Sequence, residues 1–296
     1  MYSKKNARYY HAMMAPGMVF LLIFSIVPMG GLVMAFQNFI PAKGIFGSQF
    51  IGLDNFKRLF LMPDFWQILQ NTLIIAISKI ILGTLAAIIF ALLLNECHTV
   101  LYKRVIQTVV YLPHFLSWVI LAVMFSNLFS YTGVVNQMVT AMGGEATMFL
   151  IDNNWFRPIL IGTDVWKEFG YNAVIYVAAM TSIDPTLYEA GDIDGANRWQ
   201  KIVHITLPAI LPTIVLMTTL NMGQVLNAGF DQVYNMYSPL VYRTGDIIDT
   251  YVYRTGLENI QYSLATAVGL FKSVISFGLL ASAYKLADKF CGYRIF

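Results

Sequence analysis

Residues 189–208 read EAGDIDGANRWQKIVHITLP: Glu189-Ala190-Gly191, three residues, Gly195, nine residues, then Ile205-Thr206-Leu207-Pro208. The stretch is polar and helix-compatible, and it lies between two hydrophobic blocks. Just before it, Asp184 and Pro185 read as an N-cap followed by proline at the first helical position. A short helix is predicted from Pro185 to about Asp194, where Gly195 lets the chain turn; a second short piece through Ala196, Trp199 and Val203 leads on to Pro208. The small residues Ala190, Gly191, Gly195 and Ala196 leave room for another surface to come close, and Glu189 and Asp194 offer it charge. Caps alone mark any helix start. The spacing is held over the whole stretch, in a chain otherwise built for lipid.

The rest of the chain sets that context. Of 296 residues, 57% are hydrophobic and 12% charged, with mean hydropathy +0.62, whereas soluble domains carry about 25% charged residues. Tyr9 to Ala42, Val105 to Gly144 and Ile202 to Phe230 contain no Asp, Glu, Lys or Arg, and a bilayer-crossing helix needs about 20 residues. The apolar block from Pro16 to Phe36 is longer than the core of a cleaved signal peptide and no A-x-A site follows it, so it reads as a retained first helix. The expectation is an all-α membrane protein, one transmembrane domain over residues 1–296. Its six spans are placed at about 14–37, 69–94, 105–129, 158–181, 207–230 and 264–287. The long connections 38–68, 130–157 and 231–263 share one side and are rich in Gly, Pro, Asn and Asp.

Lys and Arg concentrate on cytoplasmic flanks. One side carries Lys4, Lys5, Arg8, Lys103, Arg104, Arg198, Lys201, Lys285, Lys289 and Arg294; the other carries Lys43, Lys57, Arg58, Arg157, Arg243 and Arg254 over longer loops. The loop 184–207 and both termini are therefore assigned to the cytoplasm. Cys97 and Cys291 lack C-x-x-C or zinc spacing and read as free thiols. His11, His98, His114 and His204 lack ligand spacing, so no metal is expected. The net charge of +3 is spread over helix ends and does not form a basic patch, which argues against nucleic acid.

Lys79, Asp164, Lys167, Glu168 and Lys272 fall inside predicted spans, where ionisable groups are costly unless paired or facing water. The fourth span brings Asp164, Trp166, Lys167, Glu168, Tyr171, Asn172 and Tyr176 within about three turns. Planar hydrogen-bonding groups beside aromatic faces suit the hydroxyls and C–H faces of sugars. Asn221, Gln224 and Asn227, spaced by three, fall near one face of the fifth span, and Lys272 and Ser276 share a face of the sixth. The candidate pathway is thus Trp166, Lys167, Glu168, Tyr171, Asn172, Asn221, Gln224, Asn227, Lys272 and Ser276. For the amides, interhelical hydrogen bonding explains the pattern equally well. Lys167 and Glu168, adjacent in sequence, project about 100° apart and should not share one narrow seam. Asp164 and Glu168 share a face, and Asp164 could pair locally with Lys167.

The 189–208 pattern resembles the EAA loop of binding-protein-dependent ABC importers, E-A-A, three residues, G, nine residues, I-x-L-P, with only the second alanine changed, to Gly191. Arg8-Tyr9-Tyr10 and Met14-Ala15-Pro16 resemble the maltose-type carbohydrate branch of that family. The resemblance implies the type I ABC importer permease fold in a bacterial cytoplasmic membrane, with coupling helices docked on an ATP-binding subunit through Tyr188, Glu189, Ala190, Gly191, Asp194, Gly195 and Ala196. It implies a second homologous permease, two ATP-binding subunits, an extracytoplasmic solute-binding protein and an oligosaccharide or polysaccharide fragment carried by alternating access. No G-x-x-x-x-G-K-[ST] occurs, so ATP and Mg belong to the partner and no cofactor or catalytic residue is expected in this chain. Amino acids, phosphate or another small solute are the alternative cargo. An ion-coupled secondary transporter is a further alternative, disfavoured by the absence of an evident internal repeat.

Overall fold

The computed structural model describes residues 4–97 and 99–291, without the side chains of residues 4–8, 286–287 and 289–291. The side assignments of Lys4, Lys5, Arg8, Lys289 and Arg294, and the readings of His98 and Cys291, lie outside what is described. The chain is mostly helical and divides into two compact units, Met1–Phe65 with Val252–Phe271 and Trp66–Tyr251 with Lys272–Phe296.

Four helices among the described residues are long and apolar enough to cross a membrane: Tyr9–Phe36, Phe65–Asn95, Arg198–Gly223 and Tyr262–Lys285. They overlay the first, second, fifth and sixth predicted spans. The fourth is the Asn153–Thr181 helix, 29 residues long with Asp164, Lys167 and Glu168 near its middle. At 1.5 Å per residue it also reaches across a hydrocarbon core of about 30 Å.

Two spans depart from the straight helices expected. The third, placed at 105–129, is a pair, Val100–Phe115 and Trp118–Leu128, bent by 100°. Pro113 has no N–H to donate, the backbone tightens into a 3-10 turn over Leu112–Phe115, and Leu116 is extended (ψ 138°). Ser117 then caps a new helix by accepting from the Ile120 amide. The fifth, placed at 207–230, stops at Gly223; the chain leaves helix over 224–229, passes through Gly229 at φ +92°, and resumes as Phe230–Met236. The run 231–263, expected as connection, holds further short helices at Tyr242–Gly245 and Ile248–Tyr253. Val233, Val241, Ile247 and Ile248 are fully buried there, so apolar packing overrode the turn-forming composition.

The core of the second unit forms where the second, fourth and fifth spans meet, with Ala87, Ala91, Ala173, Tyr176, Met180 and Ile210 buried together. Lipid supplies no hydrophobic drive between helices, so small side chains that admit close backbones matter most. Gly170 is such a point: a Cβ there would sit 2.5 Å from the Val110 carbonyl oxygen. Gly170→Ala should therefore destabilise the protein by about 1–3 kcal/mol, as over-packing does. Gly162→Ala on the same helix, where a Cβ meets nothing within 4 Å, should not. Equal thermal midpoints for the two variants in detergent would show that the close approach carries no weight.

Candidate functional site

The loop between the fourth and fifth spans is shaped by its own side chains. Asp184 accepts the Thr186 amide at 2.9 Å and starts the Pro185–Ile193 helix. That bond holds the Asp184 carboxylate below its usual range, so the cap is complete above the ordinary aspartate range and is lost as pH falls through the lowered value. Gly195, at φ +72°, reverses the chain, and the Ala196 amide returns to the Gly191 carbonyl at 2.8 Å. Asn197 and Gln200 then form a reciprocal capping box at 2.9 and 2.8 Å, and Arg198–Lys201 leads through a wider turn, Ile202–Thr206, into the fifth span.

The loop has an inner and an outer face. Tyr188 bonds Thr206 Oγ1 at 2.9 Å, Asp192 pairs with Lys201, and a Cβ on Gly191 would touch Ile205 at 3.4 Å. Tyr188 and Gly191 are thus turned toward the second half of the loop. Ala196 and Tyr188 also line a polar cavity of about 700 Å³ that reaches Asn95 and Glu96 at the end of the second-span helix. Outward stand Glu189, Ala190, Asp194 and Gly195, beside two large apolar side chains the sequence reading did not single out, Ile193 at 88% exposure and Trp199 at 71%. Ile193 lies on the loop outside the spans, where a bare apolar group of this size suits a partner surface, and Trp199 stands in the first turn of the Arg198–Gly223 helix.

Within the spans, Asp164, Glu168, Asn172 and Tyr176 recur every fourth residue and present one face of the fourth helix to a cavity of about 210 Å³. Lys79, Gly83 and Thr84 on the second-span helix and Asn221, Gln224, Asn227 and Gly229 at the broken end of the fifth complete its wall. The lysine ammonium of residue 79 meets Asp164 Oδ1 at 3.1 Å and donates to the Ala228 carbonyl at 2.8 Å and to Gln232 Oε1. Gln232, fully buried, passes its own Nε2 protons to the Leu160 carbonyl and Thr163 Oγ1 at 2.7 and 2.8 Å. A Cβ at Gly229 would lie 2.9 Å from the Lys79 ammonium, so glycine there both permits the left-handed turn and clears the lysine's path.

The second cluster contradicts the expectation that Lys167 and Glu168 point apart. Glu168 receives Lys167 Nζ at 2.7 Å and His114 Nδ1 at 2.6 Å, while Lys167 also donates to the His114 carbonyl at 2.8 Å. Backbone directions 100° apart are bridged by the lysine's four-carbon stem, and the bent third span brings His114 to both. Asp164 pairs with Lys79 across helices; the local pairing with Lys167 does not form.

Of the candidate pathway residues, Glu168, Asn172, Asn221, Gln224 and Asn227 line the cavity. Trp166 meets Phe125 edge-on, Tyr171 stacks on His114 at 3.8 Å, and Lys167 lies 5.7 Å from the Trp118 ring. Lys272 binds Asn227 Oδ1 and Asp249 at 2.5 Å each from outside the lining, and Ser276, one turn on, is also outside it. Lys79, Asp164, Thr84 and Tyr176 are not among the candidate pathway residues; the four-residue stripe on the fourth helix is the signal for Asp164 and Tyr176 and the intramembrane charge is the signal for Lys79, whereas nothing local points Thr84 inward.

Residues 80–290 match the family model for the binding-protein-dependent transport system inner membrane component. Protein LplB of Bacillus subtilis is 42% identical over 97% of this chain and 90% of its own length. The polygalacturonan/rhamnogalacturonan transport system permease YteP of the same organism is 42% identical over 96% of this chain and 88% of its own. A chain in the crystal structure of a bacterial ABC transporter involved in import of the acidic polysaccharide alginate superimposes with TM-score 0.89 at 38% identity, covering 97% of both chains. A second structure of a bacterial alginate ABC transporter, in complex with alginate pentasaccharide-bound periplasmic protein, matches equally well, with 96% of both chains covered. On these grounds the chain belongs to the family of binding-protein-dependent transport system inner membrane components, the permeases of ABC importers.

Proposed function

We propose that this permease passes a carbohydrate, an oligosaccharide or polysaccharide fragment, across the bacterial cytoplasmic membrane by alternating access. The observation that carries the reading is the amide-rich cavity between the second, fourth and fifth spans. Gln224 and Asn227 bond each other and Asn227 also serves Lys272, whereas the side chains of Asn172 and Asn221 have no hydrogen-bond partner among the described residues. Those two amides are the groups for cargo hydroxyls. Two of the similar proteins, a polygalacturonan/rhamnogalacturonan transport system permease and a chain of an ABC transporter involved in the import of alginate, support the same class.

The chain works as half of a pathway, with a second homologous permease, two ATP-binding subunits that hold ATP and Mg, and an extracytoplasmic solute-binding protein docking on the outer loops. Both termini and the 184–207 loop lie in the cytoplasm, where Glu189, Ala190, Asp194 and Gly195 meet the ATPase with Ile193 and Trp199 as apolar anchors. Purified with its native neighbours, the chain should bring down an ATPase and a second permease. In vesicles the assembly should take up, only with ATP, the glycans bound by the associated binding protein. Uptake by the chain alone without ATP would overturn the reading, and uptake of amino acids or phosphate in place of glycans would overturn its cargo.

A further inference from the structure

The segment between the first two spans carries an exposed apolar tip held on a rigid frame. Its ends are fixed to the membrane, since the first span runs to Phe36 and the next helix starts at Phe65. Gln37–Asn38 pairs antiparallel with Gln49–Phe50, and the Ile51 amide donates to the Phe36 carbonyl at 2.9 Å. Asn55, buried, donates to the Ala35 and Gln37 carbonyls at 2.9 and 3.0 Å. Ser48 donates to the Gly44 carbonyl at 2.6 Å and accepts the Ile40 amide at 3.0 Å, and Gln37 Nε2 closes on the Ile45 carbonyl at 3.0 Å. With the backbone tied at these points, the turn Gly44–Gly47 holds Phe46 fully exposed, while Phe50 and Leu61 stand 66% and 82% exposed nearby in the chain. Lys43 adjoins the tip, and neither it nor Arg58 has a carboxylate partner among the described residues; Lys57 is taken by Asp54 at 3.0 Å.

We infer that residues 43–61 form a foot on the bilayer surface, with Phe46 and Leu61 at the acyl boundary and Lys43 and Arg58 on lipid phosphates. A flexible loop could fold its phenylalanine away from water; this one is locked with the ring outside. Because both ends emerge from lipid at the same face, the medium within reach of the tip is the headgroup layer, which favours an apolar ring combined with basic groups. Sequence reading treated 38–68 as an outer connection, and the proposed transport function gives Phe46 and Leu61 no role of their own beyond the general docking of a binding protein on the outer loops.

The test is the depth of the tip. A nitroxide on Phe46→Cys, in a Cys97→Ser, Cys291→Ser background, is examined in the assembled transporter reconstituted into phosphatidylglycerol–phosphatidylethanolamine bilayers. Collisions with oxygen should exceed those with a water-soluble nickel chelate, at a depth of roughly 5–10 Å below the surface. A label at Leu61→Cys gives the same reading if Phe46 is needed for assembly. Lys43→Glu with Arg58→Glu should lift the label outward in anionic bilayers, and by less in zwitterionic ones, whose headgroups keep the phosphate but carry no net charge. Nickel-dominated collisions at both sites would overturn the inference. So would protection that arises only when a solute-binding protein is added, because the tip would then be a protein-docking surface.

Discussion

Lys79→Met should destabilise the protein by about 3–5 kcal/mol, the range seen when one partner of a buried ion pair is removed. Asp164→Asn on that background should recover a large part of the loss. The side chains of Lys79 and Asp164 are only 9% and 22% exposed, so water cannot replace the missing partner at little cost. Removing the ammonium strands the Asp164 carboxylate, because Lys167, the next cation along the helix, is already bound to Glu168 and the His114 carbonyl. It also takes the donor from the Ala228 carbonyl and from Gln232, which ties the segment after the break in the fifth span to the fourth helix. The single change therefore loosens three elements together. Thermal denaturation of the two singles and the double in detergent gives the coupling directly, expected between about 0.5 and 3 kcal/mol. A Lys79→Met protein as stable as the parent, or a double variant no better than it, would mean that this pair does not organise the cavity.

The second large effect is expected at the loop. Gly195→Val should cut ATP-driven transport by roughly a hundredfold, equivalent to losing a contact worth about 2–3 kcal/mol, while membrane insertion and fold are retained. Valine at φ +72° pays the left-handed penalty of about 1–2 kcal/mol. A Cβ at this position meets nothing within 4 Å apart from the adjacent residues, so the side chain would enter the space proposed for the ATP-binding subunit. Gly195→Asn separates the two causes, since asparagine tolerates the left-handed region yet still adds bulk. An intermediate defect with asparagine points to occlusion, and near-normal activity points to backbone strain. Uptake at the parental rate in Gly195→Val would remove the docking role assigned to this turn.

Much of the fold was legible because its causes are local. Four spans announce themselves by apolar length, the Pro185–Ile193 helix by Asp184 and Pro185, and the reversal by Gly195. The breaks were harder. Pro113 and Gly229 are visible in the sequence, but a proline or glycine in an apolar run is often absorbed by a bent helix, and neighbouring helices decide whether the chain actually leaves the span. The amides show the same limit: Asn221, Gln224 and Asn227 looked like a helical stripe, but the helix ends at Gly223, and Gln224 and Asn227 reach the cavity from irregular backbone.

The sequence by itself determined that this is a multi-span membrane protein with a capped polar loop carrying the EAA-like spacing at 189–208, because hydropathy, caps and motif spacing are properties of neighbouring residues. Only the tertiary structure decided which charges belong together: Lys79 with Asp164, Glu168 with Lys167 and His114, and Lys272 with Asp249. It also decided that Tyr188 and Gly191 turn inward while Ile193 and Trp199 stand bare. The physical reason is common to both. In a medium that cannot solvate a charge, each ionisable group takes whatever partner packing brings within reach, and on a loop folded against itself the same packing selects which face is left outside.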